Sequence, residues 1–358
     1  MMTPQEKFEL ARSVGEECIQ EEELLALFSS TKPKIVAYDG FEPSGRMHIA
    51  QGLMKAINVN KLTKCGVHFK FWVADWFALL NDKMGGDLNK IQTVGRYMIE
   101  VWKAAGMNME NVSFLWSSEE ILKRSNEYWS LVFDIARKNN LARVMRCTQI
   151  MGRSENDDLS AAQIFYPVMQ CADIFFLEAD ICQLGMDQRK VNMLAREYCT
   201  ASKRKFKPIV LSHHMMMGLI EGQEKMSKSM PDSAIFMEDS EADVNSKIKK
   251  AFCPPGQIEK NPVLDYYKHI VFESDHFFQT LSGKLTIERT PENGGNVSFE
   301  NYASFEAAYA ADQLHPKDVK TTLAKILNAM IQPVRDHFEN NPEAKDLLKK
   351  VRSFAVTR

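Results

Sequence analysis

The sequence predicts an α/β fold in which a doubly wound parallel sheet is followed by a mostly α-helical C-terminal domain. Three observations carry this prediction. Short β-branched or aromatic runs at 34–38, 67–74 and 112–116 alternate with segments of helical period, the pattern of βαβ units. The joints between runs and helices collect Gly, Pro, Ser and Asp, as at 40–45 and 185–187, so the chain turns where a site belongs, at the carboxyl ends of the strands. Beyond about residue 233 the strand signal fades, and helices with loops remain. A chain of 358 residues accommodates about two domains, expected at 1–232 and 233–358.

In order, Thr3, Pro4 and Glu6 form the signature of a helix start, with Thr3 as cap and Glu6 closing a capping box, so residues 3–30 read as one or two amphipathic helices. Lys34–Tyr38 is the first strand. Ile49, Leu53, Met54 and Ile57 then recur at helical spacing until Gly66 stops the helix. Val67–Ala74 is a second strand, ended by Asp75–Trp76, and Asp87 caps a helix running to Gly106. Val112–Trp116 is a third strand, with Ser117 and Ser118 capping the next helix. A helical insertion at about 118–180 precedes two more strands, 181–184 and 208–211. Beyond them lie a basic helix (244–251), a Pro254–Pro255–Gly256 turn and a last helix opened by Pro316, with Asp318 capping its first turn. No appended domain is expected after Arg358.

Composition narrows the function classes. Hydrophobic residues at 45% and charged ones at 26% suit a globular enzyme. No apolar run approaches the roughly 20 residues of a membrane span, so no membrane partner is expected. The start, Met1–Glu6, reads as neither a signal nor a transit peptide. Seven cysteines without a CxxC pair argue for reduced thiols in the cytoplasm and against a zinc site. A net charge of −2 excludes a general polyanion binder, so any RNA contact must be local. The patches available are 203–207, Lys247 with Lys249 and Lys250, Arg143 with Arg146 and Arg153, and 349–352.

Four stretches carry chemistry. Between the first strand and its helix, Gly40, Pro43, Ser44 and Gly45 make a tight turn. Free backbone N–H groups and the positive end of the helix dipole gather there. His48 falls at that helix start, where an imidazole either caps the helix or binds a phosphate. Lys225-Met226-Ser227-Lys228-Ser229 is a loop of lysines and hydroxyls, suited to gripping and releasing anionic oxygens. The helix beginning near Ser160 is apolar almost all round, yet Tyr166, Gln170 and Asp173 form one polar stripe along it. A buried carboxylate there needs a donor, which an internal network or a small polar ligand supplies. Finally, Gly185-Met186-Asp187-Gln188 is a second strand-to-helix turn carrying acceptors for a ribose or an ammonium group, or simply a helix cap.

Together the His48–Gln51 and Lys225–Ser229 strings resemble the HIGH and KMSKS signatures of class I aminoacyl-tRNA synthetases, with Ala50 and Gln51 replacing a glycine and a histidine. Tyr38 with Tyr166, Gln170, Asp173 and Gln188 resembles the tyrosine pocket of the eukaryotic and archaeal tyrosyl-tRNA synthetases, and the likeness runs along nearly the whole chain. It implies a Rossmann-like catalytic domain and a C-terminal anticodon-binding domain. By this resemblance Tyr38 and Asp173 bind the substrate phenol, while Tyr166, Gln170 and Gln188 surround its amino group and ring. Gly40, His48, Gly185, Asp187 and residues 225–229 serve ATP, with His48, Lys225 and Lys228 as catalytic groups. His315 and Asp318 read the anticodon. The implied partners are L-tyrosine, ATP with Mg²⁺ on its phosphates, tRNA(Tyr) and a second copy of the chain, with no protein-held metal.

Three other readings remain at this point. Tryptophanyl-tRNA synthetase shares both signatures, but a carboxylate at 173 facing Tyr38 suits a phenol, which both donates and accepts, better than an indole. An RNA-binding relative that has lost chemistry is disfavoured by the intact loop and His48. A nucleotidyltransferase would leave the C-terminal helices without a task.

Overall fold

The computed structural model describes residues 2–152, 158–226, 230–274 and 281–354. Its main sheet has six strands: β1 (Glu17–Ile19), β2 (Val36–Phe41), β3 (His68–Val73), β4 (Val112–Trp116), β5 (Ile181–Cys182) and β6 (Ile209–Ser212). Their order is β1-β6-β5-β2-β3-β4, parallel from β6 to β4, with β1 antiparallel at the edge. The chain winds outward from β2 through β3 to β4, then returns to the other side of β2 with β5 and β6. The order therefore reverses between β2 and β5, which opens a crevice at their carboxyl ends.

Period-two alternation decides what faces the crevice. On β2, Ala37 and Phe41 join one core, with Phe69, Phe71 and Val73 of β3 and Trp102 of the helix Leu88–Ala104. Tyr38 and Trp72 point to the opposite core, made with Tyr128, Phe176 and the helical insertion. Both faces of the sheet are thus covered, as parallel strands require.

The element boundaries reflect local chemistry. Thr3 caps the helix Pro4–Arg12 with the full capping box, as expected. The expected continuation splits: β1 intervenes before the helix Glu21–Ser29, and its three residues are too short to show a period. The helix after the signature turn begins as a π-helical stretch, Ala50–Met54, and continues as Lys55–Lys64 before Gly66, whose φ of +83° closes it. Asp75 opens a short helix, Asp75–Leu80, that was not expected. Ser117 and Ser118 do not cap their helix. Their hydroxyls donate to buried Asp75, at 2.7 and 2.6 Å, because a sealed carboxylate outcompetes a helix end that the backbone alone can serve.

The insertion contains the helices Ser117–Lys123, Ser125–Lys138, Leu141–Cys147 and Ala161–Phe176, the last capped by Ser160 with Gln163. The strand expected at 181–184 is Ile181–Cys182, beyond which Gln183 N–H still donates to the Tyr38 carbonyl at 3.0 Å and His213 N–H to the Leu184 carbonyl at 2.9 Å. Beyond 233 the helices Glu241–Lys250, Pro262–Tyr266, Tyr302–Ala310, Pro316–Asn340 and Pro342–Ser353 accompany a two-stranded ribbon, β7 (Leu285–Ile287) with β8 (Val297–Phe299), that was not expected. The cap of the helix at Pro316 is His315, whose Nδ1 accepts from Lys317 N–H at 3.1 Å, rather than Asp318. That helix is not the last, since Pro342–Ser353 comes after it. Among the described residues no helix is long and apolar enough to cross a membrane.

Candidate active site

A cavity of about 310 Å³ opens at the β2/β5 crevice. It gathers residues far apart in the chain. Tyr38, Gly40 and His48 come from β2 and the signature turn, and Tyr166, Gln170 and Asp173 from one face of the helix Ala161–Phe176. Gly185, Asp187 and Gln188 come from the turn after β5, and Lys225 and Met226 from the loop. Every one of these was predicted as a site residue. Ser227, Lys228 and Ser229 lie outside the described residues. His315 and Asp318 lie elsewhere, at the start of the helix Pro316–Asn340.

The floor is buried and polar. Asp173 is 1% exposed, and its Oδ1 accepts from Tyr128 Oη at 2.8 Å. Burial pushes its pKa well above the usual carboxylate range, with the Tyr128 hydrogen bond pulling the other way. Tyr38 is fully buried, and its hydroxyl makes no hydrogen bond to any described residue. Burial raises its pKa, and the charge of Asp173 adds to that rise. A sealed hydroxyl beside a sealed carboxyl is costly for an isolated protein and suits a ligand that both donates and accepts.

The walls are tied down by side-chain pairs. Tyr166 Oη donates to Glu42 Oε1 at 2.6 Å, and Asn81 donates to the same carboxylate at 3.0 Å. Gln170 Nε2 donates to Gln188 Oε1 at 3.0 Å, while Gln188 Nε2 donates to the Ile150 carbonyl at 3.0 Å. The amides are held edge to edge with defined orientations. At the opposite end Lys225 Nζ lies 3.5 Å from Asp187 Oδ2. Gly185 leaves room for that aspartate, since a Cβ at 185 would fall 2.8 Å from Asp187 Oδ1.

Sequence reasoning missed a buried network behind the turn. Lys55 Nζ pairs with Asp39 Oδ2 at 2.6 Å and donates to Gln183 Oε1 at 2.9 Å, while Gln183 Nε2 lies 2.8 Å from His213 Nδ1. Burial lowers the Lys55 pKa and raises that of Asp39, each partly offset by the other. Burial also drives His213 well below its usual value, as does the neighbouring Lys55 charge, so its imidazole is neutral at physiological pH. The available clue was Asp39 itself, a carboxylate directly after the run at 34–38 that was expected to be a buried strand. For Tyr128 the sequence held no clue.

One group of metal-type ligands occurs among the described residues: His214, Asp265 and His269. The two imidazoles stack 4.1 Å apart at 12°, so their in-plane lone pairs lie in nearly parallel planes. His214 instead bridges Asp265 (2.8 Å) and Glu16 (3.0 Å). All seven cysteines are free.

Residues 30–332 match the family of class I tRNA synthetases for tryptophan and tyrosine. The cytoplasmic tyrosine–tRNA ligase 1 of Arabidopsis thaliana is 61% identical over 354 residues, covering 99% of this chain and 90% of that one. The chain belongs to the tyrosyl-tRNA synthetases of the eukaryotic and archaeal branch. The tyrosyl-tRNA synthetase of Leishmania major, solved with tyrosinol, superposes with a TM-score of 0.91 at 54% identity, covering 99% of this chain. This chain spans about half of that one, 52%. The Pyrococcus horikoshii synthetase, solved with L-tyrosine, gives 0.89 at 34% identity, covering 97% of this chain and all of that one. As a class I synthetase of this family the chain uses ATP as substrate, and the tryptophan alternative gives way to a tyrosine family match at 61% identity.

Proposed function

We propose that this chain ligates tyrosine to its tRNA in two steps, activation by ATP and transfer, and that the cavity at the β2/β5 crevice is where both occur. The observation that carries the reading is the pairing of Tyr38 with Asp173 on the sealed floor. A substrate phenol donates to the Asp173 oxygen that Tyr128 leaves available and accepts from Tyr38, which satisfies both groups at once. Gln170 and Gln188, fixed against each other, present their remaining polar atoms to the amino group and ring, and Tyr166, held by Glu42, walls that side.

The tyrosine carboxylate is ionised at neutral pH, so its attack on the α-phosphate needs no general base. It needs alignment and stabilisation of the charge that grows on the phosphates. His48, the backbone N–H groups after Gly40, and Lys225 supply that stabilisation, and Asp187 holds Lys225 at the edge of the cavity between turnovers. Mg²⁺ arrives on the phosphates of ATP as part of the substrate and supplies further charge neutralisation. The bond from the α-phosphate to pyrophosphate breaks as the acyl phosphate forms. A terminal ribose hydroxyl of tRNA then attacks the acyl carbon, so that the ester forms as the acyl–phosphate bond breaks, and AMP leaves while the hydroxyl gives up its proton.

The rest of the reading concerns architecture. Residues 1–232 form the catalytic domain, and 233–358 the anticodon-binding domain, with exposed His315 and half-buried Asp318 at the N-terminal end of a 25-residue helix. The homodimer is supported by Leu122, Phe133, Leu141 and Phe165, four exposed apolar side chains on one insertion. A cytoplasmic site of action is supported by the name of the Arabidopsis relative. The test is amino-acid-dependent ATP–pyrophosphate exchange with tyrosine, tryptophan and phenylalanine in parallel. Exchange with tyrosine alone is expected, and equal exchange with tryptophan, or none with any, overturns the reading.

A further inference from the structure

We infer that Arg46 is a positioning residue for adenylation, locking the turn that carries His48 to the chain that leaves the Lys225 loop. The inference rests on the proposal that this turn and loop serve ATP. Arg46 stands two residues before His48, and its guanidinium spans to a distant segment. Its Nε pairs with Glu238, its Nη2 lies 2.7 Å from Asp239 Oδ1, and its centre sits 4.2 Å from the Phe236 ring. Both carboxylates are sealed, with side chains 2% and 4% exposed. A planar fork shared between two buried carboxylates fixes orientation as well as charge.

Other contacts repeat the same junction. Ile49 N–H donates to Ile235 O at 2.9 Å and Met237 N–H to Met47 O at 2.8 Å. Tyr97 Oη accepts from Met47 N–H at 3.2 Å and donates to Glu238 Oε2 at 2.8 Å, so it bridges both strands of the junction. Met237 fills the space beside Gly52 so closely that a Cβ there would fall 2.2 Å from its sulfur. The far side is clamped too: Lys247 reaches Asp239 Oδ2 at 2.6 Å, Arg335 its carbonyl at 2.7 Å, and Arg352 the Glu238 carbonyl at 3.2 Å.

Neither Arg46 nor residues 236–239 line the cavity. The arginine acts through what it holds. His48 sits on one side of the lock, and the chain returning from the Lys225 loop enters on the other, tied at its base by Leu219 N–H to Ser233 O at 2.9 Å. Two segments that must meet the same phosphates are thereby set at one separation. Reacting groups displaced by about 1 Å cost on the order of 10²-fold in rate.

Arg46→Lys tests this, because it keeps the charge but cannot engage both carboxylates in a planar fork. The readouts are ATP KM and kcat in pyrophosphate exchange, the tyrosine dissociation constant, and the melting temperature. Expected are a kcat for exchange lowered about 10- to 100-fold with a raised ATP KM, tyrosine affinity within about twofold, and a folded protein. Arg46→Ala gives the larger loss, with the lysine variant intermediate. Unchanged ATP kinetics in Arg46→Lys overturn the inference. So does an equal loss of tyrosine and ATP binding, which marks a merely structural residue. A wild-type protein without tyrosine-dependent exchange removes the functional reading itself, before any variant is compared.

Discussion

Asp173→Ala separates the amino acid that the site was built for from its nearest isostere. The structure divides the cost into a part common to all substrates and a part specific to tyrosine. Removing the carboxylate deprives Tyr128 Oη of its acceptor at 2.8 Å, but Met169 O remains at 3.3 Å, and that loss falls equally on every substrate. The specific part is the hydrogen bond between the phenol and the buried Asp173 carboxyl, worth about 1–3 kcal/mol when a buried partner is left unsatisfied. Phenylalanine has no O–H and forfeits nothing. The tyrosine/phenylalanine ratio of kcat/KM should therefore shrink by roughly 5- to 150-fold, with tyrosine bearing the change. Pyrophosphate exchange with each amino acid, alongside a melting curve, measures it. A preserved ratio in a destabilised protein would show that Asp173 is a core residue and that selection happens elsewhere.

Other outcomes rest on the same geometry. Lys225→Ala should slow adenylate formation by about 3 kcal/mol, a factor of about 100 or more, with tyrosine affinity unchanged in pre-steady-state binding; the exposed resting pair with Asp187 contributes little. Replacing His315 and Asp318 by Ala should raise the tRNA concentration needed for aminoacylation and leave exchange without tRNA intact; equal loss in both assays would assign them to the fold. Tyr128→Phe deprives Asp173 of the hydroxyl donor at 2.8 Å and should cost about 1–3 kcal/mol in urea unfolding. The raised Asp173 pKa sets a pH signature in the empty enzyme. Its carboxyl binds a proton more tightly folded than unfolded, so its stabilising share is complete below the ordinary carboxylate pKa and is lost as pH rises towards the folded value. Asp173→Asn should gain stability relative to wild type across that rise, and parallel unfolding curves at pH 4 and pH 7 would contradict it.

Local patterns determined much of this protein. The capping box at Thr3–Glu6, the alternation of strands and helices, the Tyr166–Gln170–Asp173 stripe and the two signature strings are short-range facts, set by dihedral preference, periodicity and spacing within one element. With the family resemblance they carry, they named eleven of the residues that line the cavity. What folding alone decided is which groups meet across the chain. Tyr128 comes to Asp173 from 45 residues away, Lys55 to Gln183 from 128, and Arg46 to Glu238 from 192. β1 and the β7/β8 ribbon were illegible for a related reason: three-residue strands carry no period and exist only because a partner supplies their hydrogen bonds. Ser117 and Ser118 show the same limit, since their sequence context reads as a helix cap until buried Asp75 claims both hydroxyls. A buried polar group takes whichever partner the packed chain brings within reach, and nothing in its neighbouring residues records which one that will be.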